Sequence, residues 1–232
     1  MIDILLIGVV ALVAWLVSGE GAHGAGVVLV STVLGGLLAM NFFEPTANLL
    51  SSSIPGYDRY MDLVALVGLF AVFVTVFRLG SEQILPVQIE VFGTLYEPLR
   101  WGFAVCAGYV TMCVLCTALH TAPLPREFLG FTPERKNLLQ VAAPDRQWLA
   151  FTQYVSEKNL WNRRVFDAPR YTAPGTTESR EWSSFPIRYA TRRAAASRPF
   201  GAAQPGMNPG VPGGGAPAAP PSGSGPATPV AL

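Results

Sequence analysis

Four stretches of this chain are apolar and nearly free of charge, and their lengths restrict what it can fold into. Ala25–Phe43 and Trp101–Leu119 each run nineteen residues without a charge. Met61–Leu79 has the same length with Asp62 and Arg78 confined to its ends, and Ile4–Gly19 covers sixteen residues. A helix needs about 20 mostly apolar residues, rising about 1.5 Å each, to cross a hydrocarbon core of about 30 Å. The expectation is therefore an all-α integral membrane bundle of four transmembrane helices, with spans over about 2–19, 25–43, 61–79 and 101–119. The first span reaches the required length only when Met1 and Ile2 also insert, with Asp3 at the interface. It has the length of a signal-peptide core but carries Asp3 where such a peptide carries positive charge, so it reads as an uncleaved helix.

Composition agrees. Half of the 232 residues are hydrophobic and only 13% are charged, against about 25% in an ordinary soluble domain. The charges are also unevenly shared. Residues 1–120 hold eight acids and three arginines, a net of −5; residues 121–198 hold thirteen basic and seven acidic residues, a net of +6; residues 199–232 hold none. This pattern excludes a generic nucleic-acid binder, and three cysteines exclude a disulfide-framed secreted domain. It divides the chain into a transmembrane domain (1–120), a basic cytosolic tail (121–198) and a Pro/Gly-rich terminus (199–232). Placing both termini inside puts Arg59, Arg126, Arg135 and Lys136 on the cytosolic side and only Arg78 and Arg100 outside, which makes N-in/C-in the expected topology.

Helices in lipid associate through close backbone approach at small residues. Ser31, Gly35 and Ala39 form one such stripe on the second span. Gly102 with Cys106, and Ala104 with Gly108, do the same on the fourth. These residues are the candidate helix-packing sites, with the second and fourth helices at the centre. Between spans three and four, Leu85, Ile89, Phe92, Tyr96 and Leu99 alternate at spacings of four and three. That stripe predicts an amphipathic helix over about 81–100, lying in the interface. In the tail, Pro144 and Asp145 suit a first helical turn, and Trp148, Phe151 and Val155 share a face, so a short helix is expected near 145–158. Seventeen of the last 34 residues are Pro or Gly, too little apolar substance to offset the entropy of ordering.

Residues that carry chemistry are sparse. Ionisable side chains sit at the ends of the spans (Asp3, Asp62, Arg78, Arg100), not at their midpoints, where a coupled transporter places them. Cys113 and Cys116 have a redox-motif spacing. A thiol reacts as its thiolate, however, and the middle of a bilayer disfavours that charge. His23 and His120 stand alone, without the further ligands a zinc site needs. No phosphate-cradling glycine loop and no nucleophile–base–acid set stands out. No catalytic, cofactor-binding or metal-binding residue is expected, and the chain reads as non-enzymatic. Its expected partners are the lipid bilayer and either further copies of itself or another membrane protein.

Four short motifs carry a resemblance. Met-Ile-Asp-Ile opens the first span, and Gly19-Glu20-Gly21-Ala22-His23-Gly24 turns into the second. The second ends in Asn41-Phe42-Phe43-Glu44-Pro45-Thr46-Ala47-Asn48-Leu49-Leu50, and Tyr96-Glu97-Pro98-Leu99-Arg100-Trp101-Gly102 leads into the fourth. Over about residues 1–120 the chain resembles the bacterial colicin V production proteins, four-span proteins of the inner membrane. It departs from them at His23, where the family usually has an arginine, and at Glu97, where it usually has an aspartate. Glu97 and Arg100, three apart on one helical face, are the candidate functional turn. The resemblance implies an accessory role in toxin production or export, or in envelope maintenance. An oligomeric pore or permease is the alternative, and a membrane thiol-redox protein built on Cys113 and Cys116 is a third and weaker one.

Overall fold

A computed structural model describes residues 2–53, 57–84, 93–122, 131, 137–139, 141–156, 170–172, 179–181, 185–186 and 189. Their elements are the helices α1 (Ile2–Ser18), α2 (Gly21–Ser53), α3 (Asp58–Ile84), α4 (Gly93–Thr121) and α5 (Pro144–Tyr154), and the strands β1 (Arg170–Thr172) and β2 (Ser179–Glu181). The strands pair antiparallel with Tyr171 opposite Arg180. The all-α expectation thus holds apart from this three-residue pair.

Helices α2, α3 and α4 are long and apolar enough to cross a membrane. Helix α1 is as apolar but has only 17 residues, a rise of about 25 Å. Helix α2, at 33 residues, rises about 50 Å and outruns any hydrocarbon core. It passes through Pro45, where the second span is expected to stop. Proline costs a helix one backbone hydrogen bond, and around it side chains bond back to the helix's own carbonyls: Thr46 to Phe42, Ser51 to Ala47 and Ser53 to Leu49.

The separate amphipathic helix expected over 81–100 is not seen as such among the described residues. Residues 81–84 complete α3, 93–100 form the start of α4, and 85–92 lie outside the described residues. Pro98 is absorbed inside α4. The glycine turn is tighter than its sequence suggests: only Gly19 and Glu20 separate α1 from α2. Helix α5 lies where the tail reads as helical, while the terminal segment 199–232 is outside the described residues.

The bundle alternates in direction. Arg100, early in α4, meets the last residue of α1, Ser18, and Gly108 faces Val10, so α1 and α4 are antiparallel. Gly26 lies against Phe103 and Gly36 against Val114, so α2 and α4 run the same way. Helix α1 packs chiefly on α4, α3 chiefly on α2, and α2 on α4. Helices two and four are therefore the packed centre. The start of α1, the end of α4 and α5 share one end of the bundle, where Asp3 Oδ1 accepts a hydrogen bond of 2.7 Å from the Leu139 backbone N–H.

The core divides along that axis. At the tail-bearing end, Phe43, Leu66, Met112 and Val114 join Phe131, Trp148, Phe185 and Tyr189 from the tail. At the far end the core shrinks to Ala14, Val17, Ala25, Val28, Ala104 and Ala107. Small side chains there let three helices approach closely.

Candidate functional site

Polar chemistry gathers at the two ends of the bundle. At the far end, Arg78 reaches Glu20 at 2.7 Å and Glu82 at 3.4 Å, and Arg100 reaches Glu97 at 3.2 Å. The i, i+3 spacing of Glu97 and Arg100 accounts for their pairing. Arg100 does more: its Nε donates a 2.6 Å hydrogen bond to the carbonyl oxygen of Ser18. The last carbonyls of a helix lack intrahelical donors and carry partial negative charge. Arg100 therefore caps α1 from α4. Gly21 has φ of +80°, and a Cβ there would sit 2.9 Å from the Tyr96 hydroxyl. Glycine satisfies both conditions at once, so the candidate turn of Glu97 and Arg100 belongs to a collar that fixes the α1–α2 connection.

At the tail-bearing end lies a buried histidine–carboxylate pair. His120, in the last turn of α4, and Asp145, in the first turn of α5, are both fully buried, with Nε2 and Oδ2 2.8 Å apart. Phe131 packs edge-on to the imidazole at 5.9 Å between centroids, and Phe185 lies at 6.1 Å. One turn along α5, Trp148 is pressed onto α2. A Cβ on Gly36 would meet its ring at 2.5 Å and Val114 at 3.2 Å. His120 Nδ1 and Trp148 Nε1 are buried and without a hydrogen-bond partner among the described residues. Tyr109 on α4 donates a further hydrogen bond to Gln147 Oε1 on α5. The His120–Asp145, Tyr109–Gln147 and Asp3–Leu139 hydrogen bonds, with Trp148 wedged against α2, thus fasten the tail to the bundle.

A buried imidazole and carboxylate are the parts of an acid–base device, but this pair is sealed by aromatic rings. Cys116 lies one turn before it on α4, and no hydrogen bond among the described residues joins its thiol to the imidazole. Cys113 and Cys116 are buried and Cys106 is exposed. No group of three His, Cys, Asp or Glu able to hold a metal occurs among the described residues.

The small-residue sites separate into two classes. Ser31, Gly35, Ala39 and Gly108 are interior. A Cβ on Gly35 would meet Val74 of α3, at 2.8 Å from Cγ2 and 3.0 Å from its backbone N, so Gly35 serves the α2–α3 contact. One on Gly108 would lie 2.7 Å from the Val10 carbonyl oxygen. Gly102 and Cys106 do not pack within the chain: a Cβ at Gly102 meets nothing within 4 Å, and Cys106 is exposed. The helical period turns this pair outward while Ala104 and Gly108, on the neighbouring stripe, face in.

The sequence contains little to mark the His120–Asp145 pair. The residues are 25 apart, and a lone histidine at a helix end is an ordinary occurrence. The usable signal is Pro144-Asp145, a helix start immediately before the apolar Trp148 and Leu149. A carboxylate on the same side as a buried tryptophan requires a partner inside.

A family model described as Colicin V production protein matches residues 2–137. No curated protein and no solved structure matches the chain.

Proposed function

Because the chain belongs to the colicin V production protein family, we propose that it is a non-enzymatic accessory protein of the bacterial inner membrane, acting in toxin production or export or in envelope maintenance. In this reading α1 to α4 each cross the bilayer, with α1 spanning by local thinning and by insertion of its first residues. Both termini are cytosolic, since Arg59, Arg126, Arg135 and Lys136 then lie inside.

The observation that carries the proposal is the use made of the buried acid–base pair. His120 and Asp145 are fully buried and join two helices of the same chain. They read as a fastening that holds a tail against a membrane bundle, not as a reactive centre. A bundle with a fixed cytosolic appendage suits a protein that presents a surface to others. The test is cross-linking in native membranes from a tag after Leu232, followed by mass spectrometry. Capture of an export or envelope component supports the proposal.

One observation favours the second reading, an oligomeric pore or permease. Gly102 and Cys106 lie on the outer surface of α4, where close approach of another copy is possible. That reading requires capture of further copies alone, together with ion or solute flux in proteoliposomes. The redox alternative has the least support, because Cys113 and Cys116 are buried.

A further inference from the structure

We infer that α5 and the turn before it lie in the bilayer interface, with one edge inserted among lipid acyl chains. The inference rests on reading α1 to α4 as membrane-crossing, and it concerns a part of the chain that is too polar to span.

Depth is the first argument. Trp148 packs on Gly36, eight residues before Glu44, the first charge at the end of the apolar run of α2. Eight residues are about 12 Å of helix. On α4 the same ring neighbours Val114, seven residues before Thr121, or about 10 Å from that helix's end. The indole therefore reaches well below the polar ends of both helices. Amphipathic helices at membrane surfaces sit about 5–10 Å into the headgroup–acyl boundary, and α5, from which the indole hangs, lies in that zone.

Orientation is the second. Gln147 bonds Tyr109, which lies deeper along α4 than Val114, so the Gln147–Phe151 edge of α5 faces the membrane interior. Phe151, four residues on, is 40% exposed beside Trp148. Arg146, also exposed, lies on the opposite edge of the exposed face, the edge this placement turns to water. The turn closed by Leu138 and Ala142 exposes Leu139 at 62% and Val141 at 77%. Through the Leu139–Asp3 hydrogen bond it adjoins the start of α1, whose Ile4 is itself exposed. These apolar groups thus continue the lipid-facing surface of the bundle, and lipid is the occupant that continuity selects.

The test uses the full chain with Cys106, Cys113 and Cys116 replaced by alanine, reconstituted in phosphatidylcholine–phosphatidylglycerol vesicles. Phe151→Cys, Arg146→Cys and, as a lipid-facing control, Val72→Cys each carry an environment-sensitive fluorophore. The expected result is quenching by spin-labelled lipid several-fold stronger at 151 than at 146 and comparable to that at 72. Quenching at 151 by a water-soluble quencher as strong as at 146 overturns the inference in favour of a solvated tail. Protection of 151 from both quenchers overturns it in favour of a protein cover. Absence of lipid quenching at Val72 defeats the membrane-crossing reading together with the inference. Leu139→Cys, read the same way, replaces Phe151→Cys if that label disturbs the native elution profile.

Discussion

Nε2 of His120, in the last turn of α4, lies 2.8 Å from Oδ2 of Asp145, in the first turn of α5, and neither side chain is exposed. Removing one member of the pair takes a hydrogen bond from a buried polar group, at a cost of about 1–3 kcal/mol. Asp145→Ala and His120→Ala are each expected to lower the melting temperature in detergent and to speed proteolysis of the tail. Replacing both by leucine removes both desolvation costs together. The double variant is therefore expected to be more stable than either single one; losses that simply add would refute the coupling.

The glycines give a graded test of the packing. Gly36→Ala drives a Cβ into the Trp148 ring, and Gly35→Ala drives one into the backbone of Val74. Overpacking of this kind costs about 1–3 kcal/mol. Gly36→Ala is expected to loosen the tail while leaving α2 and α3 together, because a side chain can yield. Gly35→Ala, which meets a backbone atom, is expected to lower the melting temperature of the whole bundle. Gly102→Ala meets nothing and should leave the melting temperature unchanged.

Arg100 and Glu97 separate two roles at the far end. The exposed Glu97–Arg100 pair is worth about 0–1 kcal/mol, so Glu97→Gln is expected to change little. The Arg100 bond to the Ser18 carbonyl is a hydrogen bond from a charged donor, a kind worth about 1.5–3 kcal/mol. Arg100→Ala is therefore expected to destabilise more than Glu97→Gln, with the loss localised to the end of α1 by hydrogen exchange of its last turn. Equal effects of the two substitutions would contradict the capping role.

Thiol reactivity follows burial. In detergent, a membrane-permeant maleimide is expected to label Cys106, slowed by the detergent around it, before Cys113 and Cys116, which it reaches only after denaturation. Three rapidly reacting thiols in the native protein would contradict the packing of α4 described above.

What the sequence revealed, and what it hid, divides along physical lines. Apolar length is a local property, so the helices that became α2, α3 and α4 were readable from charge-free runs alone. Small-residue stripes were readable as faces but not as partners: Gly35 and Gly102 look alike in sequence, yet one meets Val74 and the other meets nothing. Which stripe turns inward depends on how α1 and α3 flank the α2–α4 pair, and no single helix encodes that. Pro45 and Pro98 looked like boundaries because their cost is local, whereas the long helices around them continue. The His120–Asp145 pair left only the Pro144-Asp145 helix start as a trace, because its partners are 25 residues apart. Its meaning arises only when α5 folds back onto α4.

With α1 to α4 all crossing the bilayer, as proposed above, the start of α1 and the tail come to one face of the membrane, where Asp3 holds Leu139 and Asp145 holds His120. The direct measurement is protease accessibility of epitope tags at the two termini, in sealed inside-out vesicles and in spheroplasts. Both tags are expected to be cleaved in the inside-out vesicles and both protected in spheroplasts. Cleavage of one tag in each preparation would mean an odd number of crossings and would contradict the four-crossing reading.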